Sequence, residues 1–207
     1  MANRNTVAVL TGDIVKSTKM KPAELERVRD AILRAADAAG AGWQDLPPVA
    51  SAEFFRGDAW QAHIPDGRFG VRAALFARAA AIAAGGDTRV AIGLGGVDDL
   101  NEKRVSMSRG EAFERSGKAL DRMGGAGLAI DGGAENPATA VLGLIDHIAS
   151  GWTARQAEMM LQVLPPSGRS MAAIAEAEGV SRQAVSKSLA AAGADAILQA
   201  LEALETG

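Results

Sequence analysis

Apolar positions recur along the chain with two different spacings, and these spacings predict its secondary structure. Short apolar runs bounded by Gly, Asp or Pro are typical of strands, and we expect strands at residues 6–11, 49–56, 59–64, 88–94 and 127–130. Apolar residues repeating every three to four positions and ended by Gly are typical of helices. This spacing predicts helices at residues 22–39, 69–84, 111–123 and 136–149, with a polar loop over 96–107.

The order of these elements predicts an α+β fold. Strand, helix, strand, strand, helix, strand is the order of a ferredoxin-like sheet. We therefore expect residues 1–150 to form one domain, an antiparallel ferredoxin-like sheet with its helices on one face. Every segment after Ser150 and Gly151 has helical spacing. The sequence thus predicts a boundary there and an all-α domain over residues 151–207.

The segment from about Thr153 to Leu189 has the spacing of a helix-turn-helix unit. Ala175 is small, as required where a second helix crosses closely over the first. Gly179 suits the left-handed conformation of a tight turn. Val185 and Leu189 then face inward from the second helix, and Val185 fills the angle between the two helices.

The second helix of this unit is expected to present polar side chains without any acid on its outer surface. Ser181 is placed to cap it. Arg and Gln near the start of such a helix are residue types that read guanine and adenine edges, and Ser and Lys suit phosphate oxygens. The candidate DNA-binding residues are Ser181, Arg182, Gln183, Ser186 and Lys187.

Two flanking helices complete the expected C-terminal domain. Residues 152–164 predict a support helix that ends at two prolines. Residues 194–204 predict a last helix with an apolar stripe of Ile197, Leu198, Leu201 and Leu204. That stripe can pack within the chain or form a dimer seam, and we favour packing within the chain.

Charge does not by itself indicate a nucleic-acid binder. The 207-residue chain has a net charge of −3, and from Gly151 onward four basic residues face six acidic ones, a net charge of −2. DNA-binding domains usually present a basic face, so DNA binding depends on where these charges lie. Helix-turn-helix units also dock proteins, and this alternative stays open.

The bulk composition is that of a soluble globular protein, with 48% hydrophobic and 23% charged residues. The chain contains no cysteine, which excludes disulfides, thiolate metal sites and a cysteine nucleophile. We find no signal peptide and no apolar stretch long enough to span a bilayer. A cytoplasmic protein with no membrane partner is therefore expected.

Two Gly-Asp pairs form a second candidate site. Asp13 follows the first predicted strand, and Asp58 lies in the hairpin turn before the third. Those strands are neighbours in a ferredoxin-like sheet, so the two carboxylates would meet at one edge and could hold Mg²⁺. Asp is also common in turns for purely structural reasons, and spacing alone favours this structural turn role over metal binding.

Four stretches resemble the catalytic domain of class III nucleotidyl cyclases. They are VAVLTGDIVKST, FFRGDAW, RVAIGLGGV and GEAFERSGKAL, which occur in the cyclase order over roughly residues 6–123. With the helix-turn-helix tail, the whole chain resembles the SatD-like bacterial proteins, and GDIVKS is the most specific link. The resemblance implies a cyclase-like fold and metal binding by Asp13, Asp58 and the backbone carbonyl of Ile14.

The same resemblance argues against cyclisation. It implies that the two purine-contacting positions are Phe54 and Met107, which cannot make the purine hydrogen bonds. The ribose-orienting Asn falls at Glu114, and the transition-state Arg falls at Lys118. Because loss of one transition-state group costs roughly 10²- to 10³-fold in rate, these changes together should abolish cyclisation.

Three hypotheses follow. The first is a transcriptional regulator that binds DNA as a homodimer, whose degenerate cyclase-like domain dimerises or senses a ligand such as a nucleotide. The second is a Mg²⁺-dependent nucleotide-binding or nucleotide-processing enzyme that uses Asp13 and Asp58. The third is an adaptor whose helix-turn-helix docks another protein.

Overall fold

The computed structural model describes residues 6–41, 43, 52–101, 103–125, 127–132 and 136–206. These residues form a mixed five-stranded sheet and eight α-helices, so the α+β class is confirmed. The strands are β1 (Val7–Ile14), β2 (Ala52–Arg56), β3 (Ala59–Ile64), β4 (Thr88–Gly95) and β5 (Leu128–Asp131). The helices are α1 (Pro22–Gly40), α2 (Gly70–Ala83), α3 (Glu111–Arg122), α4 (Ala138–Ser150), α5 (Ala154–Val163), α6 (Met171–Glu178), α7 (Arg182–Ala191) and α8 (Ala194–Thr206).

The strands lie in the order β2-β3-β1-β4-β5. Neighbours among the first four strands are antiparallel, whereas β5 runs parallel to β4. The prediction of a purely antiparallel sheet was therefore wrong at its last strand. The chain passes from β4 to β5 through α3, and a strand reached by such a helical crossover runs parallel to the one before it.

Helices cover both faces of the sheet, which corrects the expectation that they share one face. Ala8 and Leu10 of β1 point into the main core, which also contains buried residues of α1 and α2. Val9 lies between them and packs instead with Ala112 and Phe113 of α3. Successive side chains of a strand point to opposite faces, so α3 covers the face opposite α1 and α2.

Strand β1 is longer than the apolar run that predicted it. Its pairing with β3 continues through Gly12 to Asp13, and its pairing with β4 continues to Ile14. Asp13 therefore lies inside the strand and not after it, because both neighbouring strands continue the hydrogen-bonded ladder past the apolar residues. Residues 49–51 of the expected second strand lie outside the described residues.

The buried core runs from the sheet into the C-terminal helices. One cluster of buried apolar residues includes members of α2 and α4 and also of α5, α6, α7 and α8. The buried Arg72 of α2 reinforces this contact, since its Nη1 donates to the Leu164 carbonyl at 2.6 Å and its Nε donates to Glu205 at 2.6 Å. The division between residues 150 and 151 stays a prediction, and the core crosses it without a break.

Helix α8 closes the C-terminal end of this core. Ile197 and Leu201 are buried, and Leu198 and Leu204 are partly buried against them. The apolar stripe therefore packs within the chain, as we expected. Within the part of the chain that the structure describes, no helix combines the length and apolarity needed to cross a membrane.

Candidate functional site

Helices α6 and α7 are joined by a tight turn whose geometry matches the sequence prediction. Gly179 ends α6 in the left-handed conformation, with φ 64° and ψ 30°. The Val180 N–H then donates to the Ala175 carbonyl at 3.0 Å, which satisfies a free carbonyl at the end of α6. Ser181 caps α7 by accepting a hydrogen bond from the Ala184 N–H at 3.1 Å. The turn is thus held at both helix ends.

Burial separates an inner and an outer face of this helix pair. Ile174 and Ala175 of α6 are buried, as are Val185 and Leu189 of α7. Helix α5 contacts α7, and Ala157 and Met160 of α5, together with Leu164 directly after it, are fully buried. These contacts fix the rotation of α7 about its own axis and turn its other side outward.

The outer face of α7 presents all five candidate residues. Ser181, Arg182, Gln183, Ser186 and Lys187 are exposed, and α7 contains no acidic residue. Among the described residues, no carboxylate lies within ion-pair distance of Arg182 or Lys187; the nearby salt bridges belong to Arg155. Both cations are therefore accessible to a partner from outside the chain.

Three of the six acidic residues of the C-terminal segment pair with cations that belong to other helices than α7. Arg155 of α5 pairs with Glu158 at 3.0 Å and with Glu178 at 2.9 Å. The hydrogen bond from Arg155 holds the pKa of Glu178 below its ordinary value. Glu205 is bound by Arg72 of α2. The net charge of the C-terminal segment therefore does not by itself determine the electrostatic potential at the surface of α7.

The carboxylate site predicted at the sheet edge is only partly assembled. The pairing of β1 with β3 places Asp13 opposite Ala59, and the Ile14 N–H donates to the Asp58 carbonyl at 3.1 Å. The backbones of Asp13, Ile14 and Asp58 therefore meet, as the adjacency of the two strands led us to expect.

Their side chains, however, bind different partners. Both carboxylate oxygens of Asp13 accept hydrogen bonds from Arg89 on β4. Asp58 accepts one from the Ser17 hydroxyl. Among the described residues there is no group of three or more side chains suited to a metal ion. As they stand, these residues do not fit Mg²⁺, because a guanidinium already neutralises one of the two expected carboxylates.

The positions that would contact a cyclase substrate interact with other parts of the chain or with solvent. The Arg29 guanidinium lies 4.7 Å from the centre of the Phe54 ring. Met107 is largely exposed. Glu114 and Lys118 form an exposed ion pair at 3.1 Å on α3. Neither Phe54 nor Met107 therefore presents an N–H or O–H group to a purine base.

Sequence reasoning missed Arg89, Arg72 and Arg78 as partners of carboxylates. A signal existed for the last two, since they are the charged residues of the otherwise apolar helix α2, and a buried cation requires a partner. Arg89 gave no such signal before the register of β1 and β4 was known.

No family model matches the chain, and no curated protein or solved structure matches it significantly. The relationship to the SatD-like proteins therefore stays a prediction from the motifs.

Proposed function

We propose that the protein is a DNA-binding transcriptional regulator in which α6 and α7 form the helix-turn-helix and α7 enters the major groove. The observation that carries this proposal is the exposed, acid-free face of α7. Its cations Arg182 and Lys187 make no ion pair with any described residue. Because neither cation forms such an ion pair, contact with a phosphate group does not require one of these salt bridges to be broken.

The positions along α7 divide the work between base and backbone contacts. Arg182 and Gln183 lie in the first turn, where a recognition helix reaches base edges, and a good bidentate contact there contributes about 1–3 kcal/mol of discrimination. Ser186 and Lys187 lie one turn later and would contact phosphate oxygens. Ser181 both caps the helix and stands at its exposed N-terminus.

The sheet domain would supply dimerisation or ligand sensing in a ferredoxin-like, cyclase-related frame. A homodimer is expected because one small helix-turn-helix has modest affinity, and two half-sites increase it. The packing of Ile197 and Leu201 into the core removes the α8 stripe as a dimer seam. The dimer would therefore form through the rest of the chain, with residues 6–132 as the first candidate.

Fluorescence anisotropy with labelled duplex DNA fragments at about 50 mM salt tests the proposal. The wild-type protein should bind, and Arg182→Ala and Lys187→Ala should each weaken binding. Arg56→Ala, at the end of β2, and Lys103→Ala, in the loop between β4 and α3, remove the same charges from other exposed positions and serve as matched controls, since neither forms an ion pair with a described residue. Absence of binding would contradict the proposal, and a protein partner captured without DNA dependence would favour the adaptor.

The Mg²⁺-dependent nucleotide enzyme remains the alternative. It is favoured by the backbone contact between Ile14 and Asp58 and opposed by the pairing of Asp13 with Arg89. Incubation with nucleoside triphosphates and Mg²⁺ should give a product that disappears in Asp13→Ala. If no such product forms, this alternative is removed.

A further inference from the structure

A two-pronged ion pair joins Asp13, near the end of the central strand β1, and Arg89 of β4. The pairing of β1 with β4 sets these two residues directly opposite each other. Arg89 Nε donates to Asp13 Oδ1 at 2.8 Å, and Arg89 Nη2 donates to Asp13 Oδ2. Two-pronged pairs of this kind are among the strong charge-assisted hydrogen bonds of proteins, and this one uses both carboxylate oxygens.

The pair is held in place by its surroundings. The side chains of Asp13 and Arg89 are only 25% and 34% exposed. Arg89 Nη1 also lies 3.4 Å from the Gly124 carbonyl, so the guanidinium has acceptors on two sides. The hydrogen bond to Asp13 raises the pKa of Arg89 above its ordinary value. An arginine guanidinium is effectively always protonated in proteins, so this cation is permanently present.

We propose that Arg89 is a built-in counter-ion that takes the place of a divalent metal at Asp13 and closes this carboxylate to metal ions. A hard cation such as Mg²⁺ or Mn²⁺ binds through carboxylate oxygens free to coordinate it. At Asp13 both oxygens are engaged by a group of the same charge sign as the metal. The sheet edge thus keeps its charge balanced without an ion.

This proposal has a positive consequence. Removing Arg89 leaves the Asp13 carboxylate on β1, beside the backbone of Ile14 and Asp58, without its one ion-pair partner among the described residues. Arg89→Met, which is similar in length and uncharged, should therefore open a latent metal site. Arg89→Lys keeps the positive charge and should leave the site closed.

Titration with Mn²⁺, followed by electron paramagnetic resonance of the free ion, tests this directly on the full-length chain. We expect Arg89→Met to bind one Mn²⁺ at least about tenfold more tightly than the wild type, a difference of about 1.4 kcal/mol. Asp13→Asn combined with Arg89→Met should lose that gain. Circular dichroism establishes that each variant is folded.

Two results would overturn the proposal. The first is Mn²⁺ binding by the wild-type protein that is lost in Asp13→Asn, since Arg89 would then not exclude the metal. The second is a folded Arg89→Met variant that binds Mn²⁺ no better than Arg89→Lys. Wild-type binding that is lost in Asp13→Asn overturns the proposal whether or not Arg89→Met folds. If Arg89→Met fails to fold, Arg89→Gln, which is also uncharged, takes its place in the comparison with Arg89→Lys.

Discussion

Replacing Arg78 by methionine removes the cation that joins three separate segments of the chain. Arg78 lies on α2 with only 3% of its side chain exposed. It donates to both carboxylate oxygens of Asp87, at 2.9 and 3.1 Å, and to Asp146 of α4. These two side chains are 35% and 17% exposed. The substitution thus leaves two carboxylates with restricted access to water.

The cost follows from the charges that are left behind. Removing one partner of a buried ion pair destabilises a protein by about 3–5 kcal/mol. We expect a loss near the lower end of this range, about 3 kcal/mol. Asp87 is more exposed than Asp146, and each carboxylate also accepts a hydrogen bond from a backbone N–H group. At about 2–4 °C per kcal/mol for a chain of this size, the melting temperature should fall by about 6–12 °C.

Urea unfolding followed by circular dichroism measures this loss, with Arg68→Met as the control. Arg68 forms an exposed ion pair with Asp66, so its loss should change stability little. Neutralising both acids by Asp87→Asn and Asp146→Asn in the Arg78→Met background should restore part of the stability, because unpaired buried charge causes the cost. A loss for Arg78→Met no larger than that for Arg68→Met would refute the reasoning.

Three further predictions concern the turn and one histidine. Gly179→Ala should lower the free energy of unfolding by about 1 kcal/mol, because φ is positive at this residue. Gly117→Ala should raise it by up to about 1 kcal/mol, because Gly117 lies inside α3 with open space around it. Thermal unfolding should therefore show a lower melting temperature for the first variant and a higher one for the second. Ser181→Ala should lower the free energy of urea unfolding by about 0.5–2 kcal/mol, because the side-chain cap of α7 is lost. Ser181→Asp can still cap the helix and should retain most of the wild-type stability. Burial lowers the pKa of His63 below 6.5, so the unfolded chain takes up a proton first and stability declines as the pH falls below about 6.5. His63→Gln should show a smaller loss between about pH 7.5 and about pH 5.5, and an unchanged loss would contradict this assignment.

The helix pair could be predicted because its determinants are local. Ala175, Gly179 and Val185 lie within eleven positions, and each is constrained by its immediate neighbours. The structure accordingly places Gly179 at positive φ and buries the other two. Whether the outer face meets DNA or protein is not determined by this spacing.

The ion pairs could not be predicted because their partners are distant in the chain. Arg72 meets Glu205 across 133 positions, and Arg89 meets Asp13 across 76. Such contacts depend on strand register and on helix docking, which periodicity does not specify. The side of the sheet taken by α3 was missed for the same reason, since its apolar residues can pack on either face.

The salt dependence of DNA binding tests the central claim most directly. The logarithm of the binding constant should fall linearly with the logarithm of salt concentration for the wild-type protein, because phosphate contacts release counterions. Lys187→Ala should reduce that slope by about 1, whereas the loop control Lys103→Ala should leave it unchanged. Binding with the same slope and affinity in both variants would contradict the assignment of α7 as the DNA-reading helix.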